Sequence, residues 1–464
     1  MLPGAQVWSR ARTKALFDEE QAFIAPGLQT IAMLSELAIE RGRGATLTDA
    51  DGRTYLDLNA GVSVASLGHC HPRYIAALSA QLEAITVGSF TSRARAQLVR
   101  LIAEIAPGPL SRTQFYSGGA EAVEAAIRLA RSYTKRSDIV GFTGAFHGKT
   151  AGVLPLSDVG WKHAVGPLPS GYRIAPYPDP TCFAGSAAEC ADAAIAALER
   201  VVEDGAKGGP AAIIIEPIQG TAGNVIPPPG FLARVREVAH AHGALLIADE
   251  MITGFGRTGA MFGCHHDYEI PDIMTVGKGM ASGFPVSAVI STDEIVAAEP
   301  FSLPSASSSS YGGNPLASAA ALATIQTILA EGLAENAARV GRLFLDGLAQ
   351  IAGRRRSIAN VRGRGLLIGF DLVSDAERKT PLSKAACVRF FKDCLAEGLI
   401  AMSYTPRVRI HPPLVLSAAE ASHALTILDA ALGRLDDSVS RLDTTPLPDE
   451  SAARFRETGR PDRA

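Results

Sequence analysis

The chain has 464 residues, of which 47% are hydrophobic and 20% are charged, and its formal net charge is −3. This composition is typical of a globular protein long enough for two domains. The small charge gives no electrostatic reason to expect nucleic acid or an anionic membrane as a partner. Because no stretch approaches the roughly 20 apolar residues of a membrane span, and no signal-peptide core is present, we expect a cytoplasmic protein.

The six cysteines form no CxxC pair and predict reduced, structural thiols instead of a disulfide framework. Zinc bound by Cys182 and Cys190 with His147 or His163 is the weaker alternative, because the spacing is irregular and no second pair exists. We therefore expect no metal.

The first predicted elements lie before residue 90. Residues 15–40 form a charged segment of helical character, and residues 44–58 predict a hairpin whose tight turn is Asp51-Gly52. The glycine-punctuated stretch at residues 61–72 predicts a loop, and residues 73–85 return to helical periodicity.

A candidate phosphate site follows. A short strand at residues 113–116 runs into Ser117, Gly118 and Gly119, and residues 120–131 then carry apolar side chains at helical spacing. Backbone amides and the positive end of the helix dipole meet at such a helix start, which favours an anion. Many α/β proteins begin helices this way for packing alone, so the motif by itself leaves both interpretations open.

Further apolar runs predict a mostly parallel sheet with helices on both faces. Residues 139–142 lead to Phe146, whose ring indicates either stacking on a flat ligand or an ordinary core position. Residues 177–190 predict a polar surface loop. Residues 211–215 form a buried strand that ends at Glu216.

Two more strands end in residues that suggest a cofactor. Residues 245–248 are followed by Asp249, and residues 273–276 by Gly277-Lys278-Gly279. Ligands of open α/β sheets lie beyond the carboxyl ends of the strands. A lysine amine forms Schiff bases, and pyridoxal 5'-phosphate (PLP) needs such a lysine with a carboxylate that keeps its ring nitrogen protonated. Singly, each residue is as well explained by a helix cap or a solvated lysine; together they predict a PLP site.

The C-terminal third predicts a smaller α+β domain. Residues 305–314 (SASSSSYGGN) are polar and glycine-rich, which alone indicates a flexible linker. A helix over residues 315–332, a strand pair over 361–372, a strand over 408–414 and a capped helix over 417–432 follow. We predict an N-terminal segment packing with the small domain (1–60), a large PLP-binding domain (61–325), a small domain (326–437) and a disordered tail (438–464).

With these elements placed, the sequence strongly resembles the class III (omega, subgroup II) aminotransferases, PLP-dependent enzymes of fold type I. The resemblance covers residues 44–432 and rests on separated motifs in family order: YLDLNAGVSVASLGHCHP, SGGAEAVEAAIRLAR, FHGK, IIEPIQG, DEMITGFGRTG, GKGM, YGGNP, VRGRG and VRIHPPL. It implies a large domain whose mostly parallel mixed sheet lies between helices, plus a smaller α+β C-terminal domain.

The resemblance also implies site residues. Lys278 would form the Schiff base with the cofactor and move the substrate proton, and Asp249 would pair with the pyridinium nitrogen. Gly118 and Gly119 would donate backbone N–H groups to the phosphate. The other implied cofactor-binding residues are Ser117, Phe146 on one ring face, Met251 on the other, His147, Glu216, Ile252 and Ser310.

Three of these positions depart from the family pattern. Met251 replaces the usual valine, and Ile252 cannot make the hydrogen bond that glutamine gives the ring hydroxyl in many members, although other members carry isoleucine. Ser310 replaces a threonine that contacts the phosphate of the neighbouring subunit. Because serine keeps the hydroxyl, the resemblance implies a homodimer with shared active sites, with a tetramer as an open alternative.

Three positions, Arg409, Thr221 and Lys149, bear on the choice of substrate. Arg409 matches the family arginine that binds a carboxylate through two hydrogen bonds, and Thr221 stands where some members have a glutamate that pairs with this arginine. Lys149 replaces an arginine found in members that use 4-aminobutyrate or ornithine, and a similar lysine occurs in diamine-using relatives. The resemblance implies an amine or omega-amino acid donor and a 2-oxo acid acceptor such as pyruvate or 2-oxoglutarate.

Two other functions stay open. The first is a PLP-dependent aminomutase, racemase or decarboxylating transaminase on the same fold, although Phe146 stands where the decarboxylase relative has tryptophan. The second is a catalytically silent PLP-binding regulator, for which the segment before residue 44 is too short to hold a winged-helix module.

Overall fold

A computed structural model describes residues 10–205, 208–375 and 379–439, and every structural statement below refers to these residues. Of the tail predicted to be disordered, residues 440–464 lie outside the described part. Residues 438 and 439 belong to the last helix.

Helices and strands alternate through most of the chain. The helices are α1 (Ala11–Phe23), α2 (Thr30–Ser35), α3 (Ala60–Ser63), α4 (Pro72–Leu82), α5 (Arg93–Ile105), α6 (Gly119–Thr134), α7 (Ala187–Glu203), α8 (Phe231–Ala241), α9 (Asp293–Val296), α10 (Pro315–Ala330), α11 (Leu333–Ala352), α12 (Lys384–Ala396) and α13 (Ala418–Val439). The strands are β1 (Ile39–Arg43), β2 (Thr46–Asp49), β3 (Thr54–Asp57), β4 (Arg112–Tyr116), β5 (Ile139–Phe142), β6 (Tyr172–Ala175), β7 (Ala212–Ile215), β8 (Leu245–Asp249), β9 (Ile273–Val276), β10 (Ser287–Ser291), β11 (Ile358–Arg364), β12 (Leu367–Asp375), β13 (Thr380–Pro381), β14 (Leu399–Ile400) and β15 (Arg407–Ile410).

A seven-stranded sheet forms the centre, in the order β4-β10-β9-β8-β7-β5-β6. The strands from β9 to β6 run parallel, whereas β10 is antiparallel to both β4 and β9. The predicted mostly parallel mixed sheet is confirmed. Successive residues of β8 enter different apolar clusters, Leu246 with α8 residues and Ile247 with α6 residues, because side chains alternate between the faces of a strand. Helices therefore cover both faces.

The parallel strands bring the predicted site residues to one edge. β8 and β9 pair so that Asp249 lies opposite Thr275, two residues before Gly277. β7, which precedes Glu216, pairs with the other side of β8. Asp249, Lys278 and Glu216 thus follow neighbouring strands at their carboxyl ends, as ligand sites of such sheets require.

A second sheet joins the two ends of the described chain. The hairpin of β2 and β3 is confirmed, with Thr48 opposite Thr54, and β3 pairs in parallel with β14. The prediction missed β1, an edge strand paired with β2. Its sequence, IERGR, has one apolar residue and no alternation, so it carries no strand signal.

The C-terminal strands form a third sheet around β12. The predicted strand pair is confirmed as β11 and β12, and β15 pairs with the other edge of β12. The predicted capped helix is α13, where Ser417 and Glu420 exchange hydrogen bonds. The prediction of a loop over residues 177–190 was wrong at its end, because α7 begins at Ala187. Its capping pair, Ser186 with Glu189, was the available signal.

Among the described residues, no single helix is long and apolar enough to span a membrane. The pair α10 and α11, bent by 64° between them, meets the length and composition test only when both helices are taken together.

Candidate active site

A cavity of about 300 Å³ opens at the carboxyl edge of the central sheet. It brings together many of the predicted site residues, namely Ser117, Gly119, Phe146, His147, Asp249, Met251 and Lys278. Val64, Phe284 and Pro285 also line it and were not predicted. Their apolar side chains carry no chemical signature in the sequence, and only the folded chain brings them to the edge of the sheet.

Asp249 is buried, and both of its carboxylate oxygens have partners. His147 Nδ1 lies 2.6 Å from Oδ2, while the Thr275 hydroxyl donates to Oδ1 at 3.0 Å and the Met251 N–H at 3.2 Å. A buried carboxylate is stabilised as an anion by such donors. The cavity therefore has a fixed negative charge at the end of β8.

Two neighbouring buried residues, His147 and Glu216, interact electrostatically with Asp249. Burial alone would lower the pKa of His147, but the hydrogen bond and the charge of Asp249, with Glu216, raise it above its ordinary value. Burial raises the pKa of Glu216 to about 7, and nearby Asp249 adds to the increase while His147 opposes it. Glu216 accepts a hydrogen bond from the Phe146 N–H at 3.0 Å. The predicted cofactor-binding residues His147 and Glu216 thus form one buried charge cluster with Asp249.

Lys278 stands on a turn with a left-handed backbone, φ 43°. Glycine flanks it on both sides, and a Cβ on Gly277 would lie 2.8 Å from Met251 Sδ. Burial lowers the pKa of the Lys278 amine, and the charges of Asp249 and Glu216 oppose this effect. A desolvated amine is neutral over a wider pH range, which suits a nucleophile or a base.

The helix start at α6 supplies the anion-binding end of the cavity. The N–H groups of Ser117 and Gly118 both donate to the Glu121 carboxylate, at 3.0 and 2.6 Å. The first four N–H groups of a helix have no partner within the helix, and those of Gly119 and Ala120 follow on the cavity wall. Of the two predicted phosphate donors, Gly118 therefore donates its N–H to Glu121 here and Gly119 lies on the cavity wall; their binding of the phosphate stays a prediction.

Three other predicted residues lie away from the cavity lining. Ile252 is buried in a small apolar cluster with Ile218 and Leu367. Lys149 is exposed, next to Gly148 on the cavity wall. Ser310 is exposed and does not line the cavity of its own chain.

Arg409 is half-buried on β15 and forms no ion pair with a carboxylate of the described residues. Burial lowers the pKa of its guanidinium, and the neighbouring Tyr404 phenol opposes this effect. Its charge in turn lowers the pKa of Lys278, so the two cations lie within electrostatic reach of each other. A desolvated cation within electrostatic reach of Lys278, with no carboxylate partner among the described residues, favours an anionic ligand.

The residues present fit pyridoxal phosphate. A carboxylate, an amine and a helix start on one cavity correspond to the ring nitrogen, the aldehyde and the phosphate of that group. The cavity also has room for a flat ring. A Cβ on Gly119 would lie 3.2 Å from Met251 Sδ, so a larger residue at this position would crowd the cavity wall. Phe146 supplies an aromatic surface on the same cavity.

Comparison with known proteins supports this interpretation. The family model described as aminotransferase class-III matches residues 30–432. The chain is 37% identical to an acetylornithine aminotransferase of Methanopyrus kandleri, over 84% of this chain and 93% of the relative. It is 35% identical to a 4-aminobutyrate aminotransferase of Mycobacterium leprae, over 85% and 90% of the two chains.

A solved structure agrees in fold. The amine transaminase of an uncultivated Pseudomonas species, in its PLP-bound form, superposes with a TM-score of 0.83 at 32% identity. The match covers 89% of this chain and 98% of that one. The similarity therefore includes both the central sheet and the C-terminal sheet.

Proposed function

Because this chain belongs to the class III aminotransferases, PLP-dependent enzymes of fold type I, we propose that it moves an amino group from an omega-amino acid or an amine to a 2-oxo acid such as pyruvate or 2-oxoglutarate. The donor is 4-aminobutyrate-like or diamine-like, and the two substrates react in turn by a ping-pong scheme. The observation that carries the proposal is the placement of Asp249 and Lys278 at adjacent strand ends on one cavity.

In this proposal each side chain of the cavity has a separate role. Bound PLP supplies an electron sink for the bond that breaks at the substrate carbon. Asp249, held by His147 and Thr275, keeps the ring nitrogen protonated. Lys278 would hold the cofactor through its amine and would carry the substrate proton, a role that suits an amine whose pKa burial has lowered. Phe146 and Met251, which both line the cavity, would hold the two faces of the ring.

Arg409 supports a substrate with a carboxylate far from its reacting amine. It is a desolvated cation, and Thr221 offers it no acidic partner. Two relatives are named for substrates of this kind. 4-Aminobutyrate is an omega-amino acid, and acetylornithine also carries a carboxylate at one end and an amine at the other. We infer that Arg409 holds that carboxylate by the two-pronged geometry guanidinium allows.

A second copy of the chain completes the site in this proposal. Ser310 is exposed and lies off its own cavity, as required if it reaches the phosphate in the partner subunit. Helix α4 buries none of its residues, and large apolar side chains are exposed after it, at Ile85, Val87 and Phe90. A cluster of large exposed apolar side chains is typical of a protein–protein interface. The smallest assembly that satisfies both observations is a homodimer, and a tetramer made of two such dimers satisfies them equally. A cytoplasmic location stays a prediction.

The test is a half-reaction screen on the holoenzyme. 4-Aminobutyrate, N-acetylornithine and 1,4-diaminobutane are added singly without an acceptor, and conversion of the cofactor absorbance is followed with release of the oxo product. We expect at least one to react and a 2-oxo acid to reverse the change. Lys278→Ala should abolish the conversion, whereas Lys392→Ala, an exposed lysine on α12, should not. A Lys278→Ala enzyme with full turnover would refute the proposal.

The same screen separates the alternatives. An aminomutase or racemase would convert its substrate without an acceptor, and a decarboxylating transaminase would release carbon dioxide. A regulator would bind PLP and convert none of the donors.

A further inference from the structure

The loop after β7 is held by side chains from the C-terminal sheet. Arg407 Nη1 donates to the carbonyl oxygen of Ala222 at 3.0 Å. Arg362 donates to that of Gly223 from Nε at 2.9 Å and from Nη2 at 2.6 Å. The next residue, Asn224, is fully buried and also contacts this sheet. We refer to residues 222–224 as the clasped loop.

The hydrogen bonds of Asn224 determine which nitrogen of His411 carries the proton. Asn224 Nδ2 donates to the carbonyl oxygen of Ile368 at 2.5 Å, so Oδ1 is the atom that lies 2.8 Å from His411 Nε2. An amide oxygen only accepts, so Nε2 is the protonated nitrogen. His411 Nδ1 then carries a lone pair, and it is buried without a partner among the described residues.

Arg409 lies between two residues that contact the clasped loop. Side chains alternate along a strand, and both Arg407 and His411 reach the loop. Arg409 therefore leaves β15 on this same face, while Val408 and Ile410 are fully buried on the other. The Asn224–His411 hydrogen bond fixes the end of β15 that carries Arg409.

The charge state of His411 matters because cations surround it. Burial lowers the pKa of His411 well below its ordinary value, and the charges of Arg409, Arg257 and Lys278 lower it further. A neutral imidazole adds no positive charge to this group. An acidic residue here would pair with Arg409 and compete with an anionic ligand, whereas a neutral donor holds the strand and leaves the guanidinium available.

We propose that the buried Asn224–His411 hydrogen bond positions Arg409 for the carboxylate of the substrate, an inference that rests on the proposed function. His411 is a positioning residue that acts through Arg409 and does not touch the reacting atoms. Residues that orient a ligand-binding group set its affinity, because a small misplacement of that group weakens binding strongly.

The test compares His411→Gln with His411→Asn in the holoenzyme. Glutamine can place an N–H donor near the position of His411 Nε2, whereas asparagine is one methylene shorter and cannot reach Asn224. The readouts are the half-saturating concentration and limiting rate of the carboxylate-bearing donor that reacts fastest in the screen, and the inhibition constant of butanoate. We expect His411→Asn to raise both constants about tenfold and to change the limiting rate by less than about twofold. In His411→Gln both constants should stay within about threefold of their values in the unmodified enzyme.

Arg409→Leu is the reference variant and should raise the same two constants by about a hundredfold. If it does so while His411→Asn does not, the inference is wrong and the proposed function stands. If Arg409→Leu has no effect, or no carboxylate-bearing donor reacts, the carboxylate assignment fails and the inference fails with it. Equal losses in His411→Asn and His411→Gln, or a fall in limiting rate alone, would show a structural role and overturn the inference. Thermal unfolding confirms that each variant is folded.

Discussion

His147 Nδ1 and Asp249 Oδ2 lie 2.6 Å apart in the buried floor of the cavity, at the end of β8. Although burial alone would lower the pKa of His147, the hydrogen bond and the charge of Asp249 raise it, so His147 holds its proton to higher pH than an ordinary histidine. The ring nitrogen of PLP would meet a carboxylate that is already charged and already oriented.

Replacing His147 by leucine should weaken cofactor binding. Removing one partner of a buried pair leaves the other charge uncompensated, which costs about 3–5 kcal/mol. We expect the affinity for PLP to fall at least about tenfold, measured by titrating the apoenzyme with PLP. His163→Leu, at an exposed histidine, is the control and should leave the affinity unchanged. Unchanged binding in His147→Leu would show that Thr275 and the Met251 N–H suffice.

Glu216→Gln should change how stability depends on pH. The folded-state pKa of Glu216, about 7, exceeds its ordinary value of 4.5. Its protonated carboxyl therefore stabilises the fold fully below pH 4.5, and this contribution is lost as the pH rises through 7. The size of the loss is roughly 3 kcal/mol. We expect the difference in free energy of unfolding between the Gln variant and the unmodified apoenzyme to grow by this amount over that range.

Urea unfolding at several pH values measures this difference. Glu199→Gln, an exposed glutamate on α7, is the control and should show no such trend. A flat difference for Glu216→Gln would mean that Glu216 ionises normally in the folded protein.

The same variant should alter the reactivity of Lys278. Burial lowers the pKa of this amine, and the charge of Glu216 partly restores it. Since only the neutral amine attacks an aldehyde, capture of PLP by the apoenzyme should speed up as the pH rises through the Lys278 pKa, which lies below 10.5. Removing the charge of Glu216 lowers this pKa, so Glu216→Gln should move the midpoint to lower pH. Stopped-flow absorbance follows the capture, and a midpoint shifted upwards would contradict the assignment.

Gly148→Ala should disturb the anion-binding end of the cavity. Gly148 has φ 124°, a conformation that residues with a side chain rarely adopt, and its Cβ would lie 2.5 Å from Ala120 Cβ and 3.0 Å from Ala120 Cα. Relief requires movement of the first turn of α6. We expect a loss of about 1–3 kcal/mol in stability together with weaker binding of PLP. Gly160→Ala, where nothing lies within 4 Å, is the matched control.

Mixed dimers test which cavity Ser310 serves. If Ser310 completes the partner's site, a dimer of one Lys278→Ala chain and one Ser310→Asp chain keeps one intact site. Mixing the two inactive proteins under exchange conditions should then restore up to half of the activity per heterodimer. If Ser310 serves its own chain, both sites are defective and mixing restores none.

Strand ends were the part of the site that the sequence revealed best. Asp249 and Lys278 follow short, mostly apolar runs, and parallel strands bring their carboxyl ends together whatever the loops do. The contact between His147 and Asp249 joins residues 102 positions apart. No local pattern encodes such a contact, so only the motif resemblance placed His147 at the site. Asn224 and His411 are 187 positions apart and belong to no predicted pairing.

Local signals also explain the errors in the fold. Strand β1 lacks alternation because it lies at an exposed edge, where nothing demands apolar residues. The start of helix α7 was not predicted because the segment before it is polar, although Ser186 and Glu189 form a capping box there. The role of Gly118 and Gly119 as phosphate donors stays a prediction. The Gly118 N–H donates to Glu121 here, an acceptor that spacing alone does not reveal.

The pairing of β3 with β14 has a consequence for biosynthesis. Arg53, just before β3, also contacts the carbonyl oxygen of Leu395, 342 residues later. During translation the hairpin therefore emerges long before the strand that completes it, and its open edge must wait for nearly the whole chain to leave the ribosome. Closure of this sheet is then a late folding event, and a nascent chain stalled before residue 399 would keep an unpaired strand edge exposed to chaperones and to other copies.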